Sequence, residues 1–353
     1  MPDRPVKSPM GVRSRAARLL SEIGCESNVE LFPLGAGGNN RVYRVETNSH
    51  TYVLKEYFRH PGDIRDRLGA EFAFVQFAWA RGIRCIPEAI VSDTSAGLGL
   101  FSFIEGDRIA PGSFSGAEIQ EALEFVMSLN RCRHIQEARQ LPDGSEACFS
   151  IDQHFDLIQR RLFRLSGIVP ASPVDHEALV FVRETLSAAF EALKERILVD
   201  LTEKRIAHDV ELLKGERVIS PSDFGFHNAL RRPDGTLTFL DFEYAGWDDP
   251  AKLTGDFFSQ VEVPVPIIYQ DEVLTAISGI LPERELALRR MNLLLPIYRI
   301  KWCCILLNHF LPVDSERRAF AQGDAEGRKK EQINKAQKLF ASLEQSMAGT
   351  LRN

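Results

Sequence analysis

Pro221-Ser222-Asp223-Phe224-Gly225-Phe226-His227-Asn228, followed by Leu240-Asp241-Phe242-Glu243, sets an aspartate, an asparagine and a second aspartate in the order and approximate spacing of a phosphoryl-transfer site. Asp223 can orient an attacking hydroxyl, while Asn228 and Asp241 offer hard oxygens suited to magnesium held against a polyphosphate. The same residues also admit a conformational reading, with Asp223 and Asn228 as turn formers and Asp241 as a cap. His227, a lone loop histidine beside an asparagine, reads as structural, and Ser222 lacks the G-x-S-x-G setting of a covalent nucleophile.

Around these segments the pattern predicts a strand over 217–220, a second over 236–240, and a hairpin turn at Pro233-Asp234-Gly235. Upstream, strands are expected over 29–34, 41–46, 52–57, 86–90 and 98–104, after a short helix over 12–23. A helix over 63–81 follows from the spacing of Leu68, Phe72, Val75 and Trp79. Beyond residue 106 the periodicity turns helical, over 115–133, 151–165 and 174–206, and again to the end. The expected organisation is a small nucleotide-binding region, 1–105, and a larger catalytic and acceptor-binding region, 106–353.

Two features of the first region extend the phosphoryl-transfer reading. Gly35-Ala36-Gly37-Gly38-Asn39-Asn40-Arg41-Val42 fits G-x-G-x-x-G-x-V except at Asn40, and a glycine-rich turn lets backbone N–H groups approach phosphate oxygens. Lys55, in the third strand, can reach phosphates, and Glu71 in the following helix can pair with it. The alternatives are a tight hairpin, a strand lysine facing water and a solvent-facing helical glutamate.

Composition narrows the remaining classes. The 353 residues carry 43 Lys and Arg against 49 Asp and Glu, a formal charge of −6, which gives no electrostatic footprint for nucleic acid or an anionic membrane. Six cysteines without CxxC spacing argue against zinc and against a disulfide scaffold. The most apolar stretch, 291–311, is broken by Pro296, Arg299, Lys301, Asn308 and His309, so a buried helix is expected rather than a membrane span. With no secretory pattern over 1–20, the cytoplasm is the expected location. The charged segment 316–344 is expected to be a solvated face.

Taken together, residues 35–42, Lys55, Glu71, the 101–106 linker, Asp223, Asn228 and Asp241-Phe242-Glu243-Tyr244 resemble the aminoglycoside phosphotransferase and choline kinase family of protein-kinase-like enzymes. The resemblance spans about residues 29–310 and implies an α+β fold, with an antiparallel-sheet N-terminal lobe carrying one main helix and a larger, mostly helical C-terminal lobe. It implies an ATP-dependent small-molecule kinase using Mg2+, with Asp223 as base and Asn228 and Asp241 as metal ligands. Gly35, Gly37, Gly38, Asn39, Asn40, Lys55 and Glu71 would then handle the phosphates, and Phe101, Ser102 and Ile104 the adenine. Asp256, in Gly255-Asp256-Phe257, would be a structural carboxylate behind the catalytic loop.

The acceptor is expected to be a small hydroxyl compound: aminoglycoside-like, an amino-alcohol such as choline, or a sugar. Glu243, Asp248 and Asp249 offer charge to a cationic amine, or form a solvated acidic turn. Trp302 offers an indole face, or belongs to the core. Pro221 stands where the family has a loop-bracing histidine and Ser222 where it has glycine, which keeps a catalytically silent nucleotide-binding module as the alternative.

Overall fold

The structure, a computed structural model, describes residues 10–25, 29–34, 40–60, 63, 65–311 and 326–350, which divide into two compact units. The first unit holds the described residues up to Arg108 together with Asn228–Tyr244; the second holds 109–227, 245–311 and 326–350. Asn228 and Asp241 therefore belong to the first unit and the Asp223 loop to the second.

The first unit is built on a five-stranded antiparallel sheet of β1 (Glu30–Leu34), β2 (Arg41–Glu46), β3 (Thr51–Glu56), β4 (Ala89–Asp93) and β5 (Leu98–Ser102), ordered β1-β2-β3-β5-β4. The first three strands form the expected meander, and β5 then enters between β3 and β4. Pro33 is tolerated because β1 is an edge strand. On one face of the sheet, Val12, Ala16, Leu19 and Leu20 of helix α1 (Met10–Glu22) pack with Leu31, Tyr43, Val45, Leu54, Leu98 and Leu100. Each such aliphatic side chain, fully buried, contributes about 1.5–3 kcal/mol.

Side chains alternate across a strand, so the residues adjacent to Leu54 and Leu100 serve the other face. There Lys55, Gly99 and Phe101 meet helix α2 (Arg67–Ala80), which the Asp66 carboxylate caps by accepting from Gly69 N–H at 2.9 Å. Gly99 lies opposite Lys55 in the β3–β5 register, and a Cβ on it would stand 2.8 Å from the Phe72 ring. This glycine is a packing requirement: it lets α2 sit close enough for Glu71 to reach Lys55.

A second, three-stranded sheet completes the unit, with β6 (Asp107–Arg108) beside β8 (Ala229–Arg231) and β8 beside β9 (Leu237–Phe239). The β8–β9 turn is the expected one, with Gly235 at φ 88°, a left-handed conformation suited to glycine.

The second unit is mostly helical. Helix α3 (Gly116–Arg131) begins at the Ser115/Glu118 capping box and α4 (Ile151–Leu165) at Ser150/Gln153. The long helix expected over 174–206 runs as α5 (Pro173–Val180), a π segment over Phe181–Leu186, and α6 (Ser187–Glu203). Strands β7 (Val218–Ser220) and β10 (Gly246–Asp248) pair antiparallel, so the strand before the Asp223 loop bonds to the one after Tyr244. Helices α7 (Pro250–Ser259), α8 (Gln270–Gly279) and α9 (Arg284–Leu307) follow.

Helix α9 is the expected buried helix, with Leu294, Ile297, Ile300 and Cys303 wholly buried. Helix α10 (Glu326–Thr350) departs from the expectation of a solvated face. Ile333, Ala336, Phe340 and Leu343 recur at helical spacing and are buried, with Phe340 set edge-on to Phe181 at 5.9 Å. The charges that dominate its sequence occupy the other side. All six cysteines are free, and among the described residues no helix is long and apolar enough to cross a membrane.

Candidate active site

In the first unit, Lys55 Nζ lies 2.9 and 2.7 Å from the two Glu71 oxygens and 2.8 Å from Asp241 Oδ1. Tyr57 Oη also donates to Glu71, at 2.6 Å, and the Phe242 N–H donates to it at 3.3 Å. Lys55 and Glu71 are 8% and 3% exposed, so the lysine facing water and the solvent-facing glutamate are both excluded. Burial alone would lower the Lys55 pKa, but Asp241, Glu71 and Glu243 outweigh it and hold the ammonium protonated well above the ordinary lysine range. Burial raises Glu71 above the ordinary carboxylate range against the pull of Lys55.

The Asp241 side chain keeps 32% exposure while anchored to Lys55. It sits just beyond β9 at φ 67°, left-handed for a non-glycine residue. The Leu240 N–H donates to Asn228 carbonyl oxygen at 2.8 Å, so Asn228 and Asp241 occupy adjoining ends of the β8–β9 hairpin. Among the described residues no group of three or more His, Cys, Asp or Glu side chains is arranged to hold a metal ion. One carboxylate and one amide on neighbouring strand ends suit magnesium, which commonly takes one or two protein carboxylates and fills its octahedron with phosphate and water oxygens.

Asn40 and Glu243 form a buried hydrogen bond that the sequence does not announce. Asn40 Nδ2 donates to Glu243 Oε2 at 2.7 Å, and Asn40 Oδ1 accepts from Phe58 N–H at 3.4 Å. The last residue of the glycine-rich segment is thereby tied to the segment after Asp241. Gly35, Gly37, Gly38 and Asn39 lie outside the described residues.

At the linker, Phe101 packs on Phe72 with ring centroids 5.0 Å apart. The Ser102 N–H donates to Glu88 carbonyl oxygen at 2.9 Å, and its hydroxyl accepts from Glu88 N–H at 2.8 Å. Ser102 thus spends its N–H and hydroxyl on Glu88, and the irregular stretch holding Ile104 follows it.

In the second unit the Asp223 loop leaves β7, whose Ile219 is bracketed by the Asn130 amide: Nδ2 donates to Ile219 O at 3.0 Å and Oδ1 accepts from Ile219 N–H at 2.9 Å. Ser222 adopts φ 61° with its hydroxyl buried and without a partner among the described residues. Phe224 stacks on Phe257 at 5.3 Å and 19°, and Phe226 packs on Phe114 at 4.4 Å. These two rings anchor the loop, while the alternate residue Asp223 keeps a side chain 33% exposed.

A sequence profile of the phosphotransferase enzyme family (APH) matches residues 30–252. The chain belongs to the APH phosphotransferase family. The chain is similar in fold to the choline kinase LicA of Streptococcus pneumoniae, with 17% identity, a TM-score of 0.58, and 94% of this chain and 99% of that one covered. It is also similar to an ethanolamine kinase of Plasmodium vivax, at 14% identity and TM-score 0.58, over 96% of this chain and 89% of that one. A third likeness is to a spectinomycin phosphotransferase solved with ADP and spectinomycin, at 11% identity and TM-score 0.58, over 97% and 100%. At these identities the likeness is one of fold, the protein-kinase-like fold of small-molecule kinases. The search of curated proteins found no match to this sequence.

The residues expected at the acceptor site, Asp248, Asp249 and Trp302, sit in closed surroundings. Asp248 has no exposure; its Oδ2 accepts from Lys252 at 2.7 Å, and burial pushes its pKa up to about 6 against the Lys252 charge. Asp249, equally buried, caps α7 by accepting from Ala251 N–H at 2.7 Å and also meets His154 and Arg290. The expected offer of these two carboxylates to a cationic acceptor, and the solvated acidic turn, both give way to internal ion pairs. Trp302 is 8% exposed with its indole N–H on Asp256 Oδ1 at 2.8 Å, which makes it core. Asp256 also takes Lys301 at 2.7 and 2.9 Å. His154, Lys252 and Lys301 were not singled out in the sequence; an apolar flank around a charged residue, as in Ile300-Lys301-Trp302, is the signal that marks such buried partners.

Proposed function

We propose that the protein transfers the γ-phosphoryl group of ATP to a hydroxyl of a small molecule. The observation that carries this reading is the Lys55–Glu71–Asp241 cluster: a buried ammonium held by one closed carboxylate and one carboxylate that still reaches solvent. Lys55 would bind α- and β-phosphate oxygens, with Glu71 fixing its position. Asn228 and Asp241 would hold magnesium, which when bound neutralises charge on the phosphates. Asn40 and the glycines before it would cover the phosphates, and Phe101 and the stretch through Ile104 would border the adenine.

Asp223 is the proposed base. As the acceptor oxygen forms its bond to the γ-phosphorus, the bond from that phosphorus to the β–γ bridging oxygen breaks, and the hydroxyl proton passes to the Asp223 carboxylate. The products are ADP and a phosphate monoester. The acceptor class is taken from the similar structures, whose names specify choline, ethanolamine and spectinomycin: a small hydroxyl compound bearing an amine, with a sugar as a further candidate. ATP use also favours a cytoplasmic location.

The test is magnesium-dependent ADP formation with choline, ethanolamine, 1-amino-2-propanol and spectinomycin as acceptors. Turnover that falls at least about a thousandfold in Asp223→Ala supports the reading, because loss of a positioned base costs about 10²–10⁴ in rate. Tight ATP binding without turnover on any acceptor, unaffected by that substitution, would establish a silent nucleotide-binding module.

A further inference from the structure

The Asp223 loop contains a second side chain aimed at its carboxylate. His227 Nε2 lies 3.2 Å from Asp223 Oδ1. A carboxylate only accepts, so Nε2 carries the proton and donates. We infer that His227 is a positioning residue for Asp223, holding the carboxylate in the orientation that proton acceptance requires; this rests on Asp223 being the base.

Three features of the loop support a built contact. The imidazole is 13% exposed and the carboxylate 33%, so the histidine stands behind the aspartate, which is the member open to solvent. The other ring nitrogen, Nδ1, is buried without a hydrogen-bond partner among the described residues, so packing and the single bond to Asp223 set the ring's orientation. The packing is specific: the ring meets Trp302 edge-on, at 6.2 Å and 89°, and Trp302 is itself fixed through its indole N–H to Asp256. Gly225 makes the space, because a Cβ there would stand 2.9 Å from His227 Nδ1.

The backbone explains why these residues share a side of the loop. Phe224 and Phe226 are 6% and 0% exposed and turn into the core, leaving the alternate positions 223, 225 and 227 together. Tying Oδ1 to an imidazole restricts rotation of the Asp223 carboxyl, so the lone pairs that meet a hydroxyl keep a fixed direction; such orientation is worth tens- to hundreds-fold in rate when lost. Asp256, through Trp302, thus supports the proposed base without touching it.

The experiment uses the full chain, magnesium ATP and whichever of the four acceptors named above is turned over. His227→Leu is expected to lower kcat about 10–100-fold with KM for ATP held within about twofold, since the phosphate-binding groups are untouched. His227→Gln, whose amide can reach the same carboxylate oxygen, is expected to recover most of that loss, and Gly225→Ala, which displaces the ring, to reproduce it. A His227→Leu kcat within about twofold of wild type, or a Gln variant no better than Leu at equal melting temperature, overturns the inference.

Melting temperatures of Asp223→Asn, His227→Leu and the double variant decide the contact independently of turnover. Non-additivity of about 2 °C or more supports a held carboxylate; additivity overturns it. If the wild-type protein phosphorylates none of the four acceptors, the proposed amine-bearing acceptor class fails by itself, and this cycle still decides the contact.

Discussion

Among the described residues, lysines are buried among carboxylates at two centres, one in each unit, and the two centres differ in solvent access and in charge count. In the first unit Lys55 holds Glu71 and Asp241; in the second, Lys252 and Lys301 share Asp256, with Asp248 closing the group. Both centres pair lysine with carboxylates at 2.7–2.8 Å, with Lys252 a further 3.5 Å from Asp256. Their exposure differs: the Asp241 side chain is 32% exposed, whereas those of Asp248 and Asp256 are 0% and 5%.

The charge count follows the same division. Two carboxylates around one ammonium hold Lys55 charged and leave negative potential for a metal ion. In the second unit burial lowers the Lys301 pKa, with Lys252 adding to the effect and Asp256 opposing it, whereas at Lys252 burial is outweighed by Asp248 and Asp256 and the pKa rises above the ordinary lysine range. A closed cluster can only specify the fold, because the desolvation cost of its ions offsets much of their attraction and no ligand can reach them. A buried ion pair therefore says little about function by itself; one partner with a route to solvent is what makes the first centre a candidate for chemistry.

The largest effect that tests this contrast is expected at the closed centre. Asp256→Ala leaves Lys301 and the Trp302 indole N–H without their carboxylate, and should cost about 3–5 kcal/mol of stability by denaturant unfolding. A loss under about 1 kcal/mol would break the comparison. At the open centre, Lys55→Met should lower kcat/KM for ATP about a hundredfold, equivalent to about 2.7 kcal/mol of transition-state stabilisation. Its unfolding free energy should change less than that of Asp256→Ala. Glu71 keeps the Tyr57 hydroxyl and the Phe242 N–H as donors, and its raised pKa lets it take up a proton. Equal destabilisation by the two substitutions would erase the distinction.

A smaller effect tests the wall of the closed region. Burial lowers the His154 pKa from 6.5, with Asp249 opposing, so the unfolded chain protonates first. Stability from this group is intact above about pH 6.5 and falls on acidification below it, by at most about 1.4 kcal/mol per pH unit. His154→Gln should remove that limb, so the variant and wild-type unfolding curves converge as the pH drops from 6.5; parallel curves would show that His154 is not held neutral. The smallest change is at the proposed base's own loop. Ser222→Gly removes a left-handed serine whose buried hydroxyl has no partner among the described residues and should stabilise the protein by about 1 kcal/mol in thermal unfolding, whereas a loss would show the φ of 61° to be unstrained.

Much of the first unit was legible because its signals are local. Period-two alternation and turn residues gave the strands 41–46 and 98–102 within a residue or two of their observed bounds, and the order Lys55 then Glu71 followed from strand and helix assignments alone. The entry of β5 between β3 and β4 was not legible, since nothing within a strand names its neighbour. The destinations of Glu243 and Trp302 were unreadable for the same reason. Asn40 and Glu243 are 203 residues apart, and Trp302 and Asp256 are 46 apart, so each partner is fixed only when the chain closes. Helix α10 was misjudged because its charges outnumber the four buried apolar positions that place it against the core.

The sequence by itself determined the elements and the kinds of side chain available, because backbone propensity, hydrophobic period and capping act over a few residues. Only the tertiary structure decided which carboxylate stays open and which is shut away. Asp241, Asp248 and Asp256 are chemically identical, and what separates them is solvent access and the cations packed around each: Lys252 lies four positions from both buried aspartates, but Lys55 and Lys301 are brought in from 186 and 45 residues away.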